Sequence, residues 1–395
     1  MSIETPVLYR GSVKDLRGPV SLPGGKEAII FDYTDAYSVF DWGRMPDALT
    51  HKGQALAILA ADFFEKLENP ETWKIFSRTP EALALRKGNR YGSAFNELGE
   101  RLQAEGLRTH YLGALAQSGS VSPVKLSAAE KSFQQILVQR VQVEKPKWGT
   151  VLGRTIPDYS YLANVPLPRL VPLEVVFRFS CPPGSSLVDR IKKDPDYPAS
   201  RGFAEHKIEK GKSWGFPFLE TFSKLEPTDR LVSLHEALPM SGLKPEQLQE
   251  VMFLSAWTAG YLRSAFAAAG LDLADGKFEW ALGADGKLIL VDAVGPDELR
   301  ILKNGVQLSK EFLRHHYRKS SWYAGLDGAK AQATAKAMSD WKRFVEQGPA
   351  PLPAPLKELA SQIYMSLANR LTGKNWFSQA WPLEEVCTKL EEASK

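Results

Sequence analysis

Apolar positions alternate in some stretches of the chain and recur at helical spacing in others. Val7–Arg10 and Glu27–Tyr33 are short apolar runs set apart by Pro19, Pro23, Gly24 and Gly25, and they predict strands of an antiparallel sheet. Over 53–67, Leu56, Leu59, Phe63, Phe64 and Leu67 fall at helical spacing. Residues 68–99 are polar and show no clear period, which predicts an irregular insertion. Strands are predicted over 136–143 and 172–179, with a long Pro- and Gly-rich loop over 144–169 between them. Pro182-Pro183-Gly184-Ser185-Ser186 is a sharp break. The clearest helix runs over 245–270, with Pro near its start and Gly270 as its stop. Further helices are predicted over 309–316 and 356–371, the second after a proline-rich connector over 349–355.

One hairpin carries candidate chemistry. Two alternating runs, from Lys277 to Gly283 and from Lys287 to Asp292, flank Asp285-Gly286, a two-residue turn signal. That turn sets Ala284 opposite Lys287 and Glu279 directly across from Asp292. Phe278, Trp280 and Leu282 then share the buried face with Ile289, Val291 and Ala293. Opposed carboxylates repel, and a divalent cation with oxygen ligands compensates them. The alternative is a solvent-facing pair on an exposed hairpin.

Two weaker signals concern anions. Arg178 at a strand end, followed by Gly184-Ser185, can hold a phosphate through two parallel guanidinium donors and turn donors. Gly11 and Lys14, within Leu8-Tyr9-Arg10-Gly11-Ser12-Val13-Lys14, can cover nucleotide phosphates between two strands. An ordinary loop explains either segment taken alone.

Composition narrows the class. The 395 residues are enough for two domains or one enlarged one, and 44% hydrophobic with 24% charged residues is ordinary for a globular protein. A formal charge of +4 is too weak to point to nucleic acid but tolerates anionic small molecules. Two cysteines, Cys181 and Cys387, make no metal cluster, and free thiols are expected. The start MSIETPVLYR lacks a signal-peptide core, and no stretch approaches the roughly 18 apolar residues of a membrane span. A cytoplasmic protein is therefore expected. Gly24-Gly25-Lys26 and Gly373-Lys374 lack the Ser/Thr of a P-loop, and no dinucleotide-binding glycine motif follows a strand. The six histidines show no zinc spacing.

Taken in order, these segments resemble the SAICAR synthetase family. The resemblance runs through Leu8-Tyr9-Arg10-Gly11 with Lys14, Thr34-Asp35, Lys52-Gly53, and Gly106-Leu107-Arg108-Thr109-His110. It continues through Val171-Pro172-Leu173-Glu174 to Arg178, Gly184-Ser185, Ser223-Lys224-Leu225-Glu226 with Asp229, Lys277-Phe278-Glu279, Asp292, Pro296-Asp297 and Arg300. It implies a two-lobed α+β fold with antiparallel sheets, related to ATP-grasp proteins, with a nucleotide lobe over 1–171 and a larger substrate and metal lobe over 172–395. It implies that ATP and Mg2+ drive L-aspartate onto carboxyaminoimidazole ribonucleotide (CAIR) through an acyl phosphate. By the same resemblance, Glu279 and Asp292 would hold Mg2+, and Gly11, Lys14 and Lys277 would bind ATP. Arg178, Ser185 and Arg300 would bind the ribonucleotide, and Lys224 and Asp229 would be catalytic. No nucleic-acid or membrane partner is implied, and oligomeric state is not legible.

Five departures stand out. Ser12 replaces a lysine, Thr228 a histidine, Ala293 an acid and Leu299 a serine, and one extra residue separates Arg178 from Gly184. They leave open a paralogous amide ligase with another acceptor or amino donor, or an inactive nucleotide-binding homologue.

Overall fold

The computed structural model describes residues 5–25, 27–116, 122–182, 185–203, 208, 212–335 and 340–394. Lys26, Pro183 and Gly184 of the sequence motifs lie outside the described residues. The first sheet has the order β1-β2-β3-β5-β4. Its strands are β1 (Val7–Arg10), β2 (Lys14–Ser21), β3 (Glu27–Tyr33), β4 (Tyr111–Ala114) and β5 (Gln135–Gln139). All are antiparallel. Alternation along β3 divides its side chains. Ala28 and Ile30 join Val20, Leu115 and Leu137 in a small cluster, while Phe31 and Tyr33 face the main core.

A detached ribbon, β6 (Lys147–Val151) and β7 (Arg154–Asp158), lies where a loop is predicted. The second sheet has the order β10-β9-β8-β11-β13-β14, with β12 added on β11. Its strands are β8 (Arg169–Ser180), β9 (Ser213–Ser223), β10 (Leu231–Val232), β11 (Asp272–Leu282), β12 (Leu288–Val291), β13 (Leu299–Lys303) and β14 (Val306–Gln307). Along one edge of β11, residues 272–276 pair with β13 and residues 279–282 with β12. Segment 292–298 leaves the sheet and returns in that split, where the Lys277 N–H donates to the Glu298 carbonyl at 3.2 Å.

The helices are α1 (Lys52–Glu68), α2 (Pro70–Phe76), α3 (Pro80–Gly88), α4 (Ser93–Glu105), α5 (Ser186–Lys193) and α6 (Tyr197–Ser200). They continue with α7 (Leu234–Ser241), α8 (Pro245–Ala268), α9 (Glu311–Tyr317), α10 (Ser321–Ala335), α11 (Ala354–Thr372) and α12 (Leu383–Ser394). The irregular insertion expected over 68–99 is instead α2, α3 and the start of α4. Asn69 accepts from the Glu71 N–H at 3.0 Å and Thr79 from the Ala82 N–H at 3.3 Å, each followed by a first-turn proline. These helices bury Trp73, Phe76, Leu85 and Phe95 on α8, where the Trp257 indole donates to the Phe95 carbonyl at 2.9 Å. Behind the second sheet, the Trp280 indole donates to Ser255 of α8 at 3.0 Å. Helix α1 packs on the first sheet and on α11. The sheets meet where the His110 N–H donates to the Leu290 carbonyl at 3.0 Å and the Leu290 N–H to the Arg108 carbonyl at 2.9 Å.

Candidate active site

The hairpin register differs from the predicted one by one residue. Glu279 pairs with Val291, Trp280 with Leu290, Ala281 with Ile289 and Leu282 with Leu288. The loop has three residues rather than two. The Gly283 N–H donates to the Lys287 carbonyl at 2.8 Å and the Gly286 N–H to the Gly283 carbonyl at 2.9 Å, with Gly286 at φ 75°. That is the type I turn closed by a left-handed glycine. Asp285 reinforces it by accepting from the Lys287 N–H at 3.1 Å. Leu288 and Leu290 therefore join Phe278, Trp280 and Leu282 in the core. Ile289 and Val291 turn to the Glu279 face, in a separate apolar patch with Ala281 and Leu170.

The carboxylate across from Glu279 is Glu174 of β8, not Asp292. Two lysines lie between the pair. Lys224 Nζ is 2.6 Å from Glu174 and 2.9 Å from Glu279. Lys277 Nζ is 2.6 Å from Glu174, 3.5 Å from Glu279 and 3.2 Å from Glu298. Asp292 follows the last paired residue of β12, and its φ of 68° bends the chain out of the pleat. Its carboxylate pairs with Lys14, which also sits 4.3 Å from the Phe31 ring centre.

Burial first, and then the Asp292 charge, push the Glu279 carboxyl up to about 7. Burial would also raise Asp292, but Lys14, Lys277 and Lys224 outweigh it and hold that carboxyl below its ordinary range. Burial works against the Lys224 charge, yet Glu279 and Glu174 keep it firmly protonated. Among the described residues no group of three or more His, Cys, Asp or Glu forms a metal cage. The donor set instead suits magnesium, which takes one or two carboxylates and completes its shell with phosphate and water oxygens. Glu279 and Asp292 are the two carboxylates that could hold such an ion.

A second charged cluster lies further along β11. Arg178 of β8 and Arg300 of β13 both pair with Asp275 of β11, so the row crosses three strands. Arg178 Nη1 is 3.2 Å from Asp275, its Nε is 2.6 Å from the fully buried Glu220, and Arg300 Nε is 3.5 Å from Asp275. Arg190 of α5 reaches Glu220 at 2.8 Å, and the Tyr197 hydroxyl donates to it at 2.6 Å. Arg300 Nη1 is buried with no hydrogen-bond partner among the described residues. Ser185 precedes α5 and lies beside the Cys181 thiol, itself close to Arg178. Arg178, Ser185 and Arg300 are thus brought together.

Asp275, Lys277, Glu279 and Ala281 occupy alternate positions of β11 and share one face, stepping about 7 Å each time. Arginines, lysines, acids and an apolar patch follow one another along that face. Gly11 closes the β1–β2 turn, its N–H donating to the Lys14 carbonyl at 3.0 Å, and Arg44 Nε donates to the Gly11 carbonyl at 3.0 Å. Asp229 lies at the surface near Lys224 and Lys277; partial sheltering of its carboxyl, and then the Glu174 charge, raise it.

Sequence reasoning assigns no role to Glu174, Glu220, Asp275, Glu298 or His110. Glu174 and Asp275 are signalled by strand alternation, since each faces a residue already singled out; Glu220 and Glu298 carry no comparable signal. His110 is buried, with Nε2 3.2 Å from the Asp292 carbonyl oxygen, and burial followed by Lys14 lowers its ring to about 3. The unfolded chain then binds the extra proton between about pH 6.5 and 3, so stability falls as pH drops through that window. In EDTA at pH 5 this removes about 2 kcal/mol relative to pH 7. His110→Gln should show a shallower fall in melting temperature between those two pH values; parallel curves would contradict a buried neutral ring.

Comparison with known proteins identifies the family and the fold. The SAICAR synthetase family model matches residues 159–327. A protein of Archaeoglobus fulgidus with the provisional name phosphoribosylaminoimidazole-succinocarboxamide synthase is 35% identical over 387 residues, 97% of this chain and 99% of its own. The phosphoribosylaminoimidazole-succinocarboxamide synthase of Thermoplasma acidophilum is 31% identical over 215 residues, 52% of this chain and 69% of its own. The SAICAR synthase of Saccharomyces cerevisiae, solved with SAICAR, shares the fold with a TM-score of 0.56 at 18% identity, covering 95% of this chain and 99% of its own. The class is that of ATP-dependent ligases of purine biosynthesis, built on an α+β fold with antiparallel sheets. The chain belongs to the SAICAR synthetase family.

Proposed function

We propose that this enzyme joins L-aspartate to CAIR through an acyl phosphate, giving SAICAR, ADP and phosphate. The supporting observation is the order of side chains along one face of β11. The Arg178, Ser185 and Arg300 cluster suits the ribonucleotide phosphate, and the unpartnered Arg300 donor gives it a fixed contact. Lys224 comes next and suits the substrate carboxylate, and Lys277 beside it suits the ATP phosphates. Glu279 and Asp292 would hold Mg2+, which supplies charge neutralisation for in-line phosphoryl transfer. Lys14 and the Gly11 turn face the nucleotide phosphates. The patch of Leu170, Ala281, Ile289 and Val291, flanked by Val141 and Leu225, suits the base.

The CAIR carboxylate attacks the γ-phosphorus and ADP leaves. The aspartate amine then attacks the acyl carbon, and the phosphate departs. Asp229, with its raised carboxyl, takes the proton that the amine sheds. Lys224 steadies the negative charge on the acyl oxygen. We read the protein as cytoplasmic; both cysteines are free and buried, and among the described residues no helix is long and apolar enough to cross a membrane.

ADP release tests the reading when ATP, Mg2+, L-aspartate and CAIR are supplied and each is omitted in turn. Release should require all four. Turnover that ignores CAIR or aspartate would favour a ligase for another acid or amine, and nucleotide binding without turnover would favour an inactive homologue. A Cβ on Gly11 would stand 2.5 Å from the Lys14 carbonyl oxygen. Gly11→Ala should therefore raise the KM for ATP several-fold with a smaller change in kcat; an unchanged KM would take the turn away from the phosphates.

A further inference from the structure

Lys52, at the start of α1, is fully buried. Its Nζ lies 2.7 Å from Asp297 Oδ2, and the Tyr364 hydroxyl of α11 donates to Asp297 Oδ1 at 2.7 Å. The Tyr364 ring centre is 5.1 Å from the ammonium. Burial lowers the Lys52 ammonium from its ordinary range, with Asp297 opposing the shift and Lys310 adding to it. A charge so enclosed persists only because its partners hold it.

Asp297 belongs to segment 292–298, which begins with Asp292 and ends with Glu298, the partner of Lys277. Between them Val294 is buried in the main core, and the Glu298 N–H donates to the Gly295 carbonyl at 3.0 Å. Beside Lys14 a small cavity of about 20 Å³, room for about one water, lies between Ala293, Val294 and Gly295 on one side and Val13, Tyr33 and Leu56 on the other. Packing of Val294 fixes the middle of the segment, and polar contacts fix its two ends. The His110 contact holds one end, and the buried triad holds the other.

We propose that Lys52, Asp297 and Tyr364 form a positioning unit that sets segment 292–298 and, through it, the Asp292 carboxylate against the cation. The Lys52 ammonium and the Tyr364 hydroxyl both bond to Asp297, so the unit acts through the segment and supplies no cation ligand itself. The inference rests on the reading that Asp292 and Glu279 hold the divalent ion. Supporting groups of this kind commonly change metal affinity by roughly 10- to 100-fold.

Mn2+ binding to the metal-free protein in the presence of ADP, followed by electron paramagnetic resonance, tests it without turnover. Two variants are compared with wild type. Tyr364→Phe keeps the ring and removes one donor. The double variant Lys52→Met/Asp297→Asn removes both charges together and strands neither. Each should bind Mn2+ roughly tenfold more weakly while binding CAIR within about twofold of wild type, because Glu220 and Asp275 hold the arginine cluster on the sheet independently of the triad. If Tyr364→Phe does not fold, the double variant decides. Wild-type Mn2+ affinity in a folded variant overturns the proposal, as does an equal loss of Mn2+ and CAIR binding, which would mark general damage. Failure of wild type itself to bind Mn2+ with ADP overturns the metal reading and takes this inference with it.

Discussion

Asp292→Asn is expected to lower ligase turnover at least about a hundredfold, on the scale of removing one preorganised electrostatic group, while the fold survives. Asparagine tolerates the left-handed backbone that Asp292 adopts at φ 68° better than most residues, so the bend after β12 is kept. What goes is the negative charge. One cation ligand weakens, and Lys14 loses the carboxylate it pairs with. ADP release with all substrates present gives the rate, and far-UV circular dichroism reports the fold. Near-normal turnover in a folded variant would remove Asp292 from the metal site and with it the proposed arrangement.

Loss of the Arg178 guanidinium has the largest expected effect on stability. Arg178→Met leaves Glu220 and Asp275 buried with one cation fewer, and removal of one partner from a buried ion pair costs about 3–5 kcal/mol. Arg190 and Tyr197 still serve Glu220, and Arg300 still serves Asp275. The loss should accordingly fall near the lower end of that range. Arg178→Lys recovers only part, because a single ammonium does not reproduce a fork that reaches β9 and β11 together. Urea unfolding checks this. A loss below about 1 kcal/mol, the scale of an exposed pair, would mean that the network adds little to the joining of these strands. The same variant should bind CAIR far more weakly.

Some of this was legible in the residues. The alternation in Lys277-Phe278-Glu279-Trp280 shows which side of β11 carries charge, and the structure keeps that side. The Asp285-Gly286 signal misleads on turn length, because the same pair also suits a three-residue loop with the glycine in the last place. The opposed carboxylates exist, but the second is Glu174, a hundred positions earlier in the chain, and only strand order brings it to Glu279. The cross-sheet partner Glu220 is invisible for the same reason. Helices α2 and α3 escape the periodicity reading because each is short and buries two residues. Their Asn-Pro and Thr-Pro starts were the usable sign. Lys52 looks like a surface charge beside a glycine until Asp297 and Tyr364 enclose it.

The junction of α1 with α11 bears on how the protein is made. Domains tend to organise from the N-terminus while synthesis continues. Lys52 emerges early, Asp297 much later, and Tyr364 last of the three. A growing chain therefore carries an ammonium with no counter-charge through most of translation, and a product terminated before α11 keeps Asp297 without its tyrosine donor. Frameshifts or nonsense changes that spare every residue along β11 should still give polypeptides that proteases clear quickly.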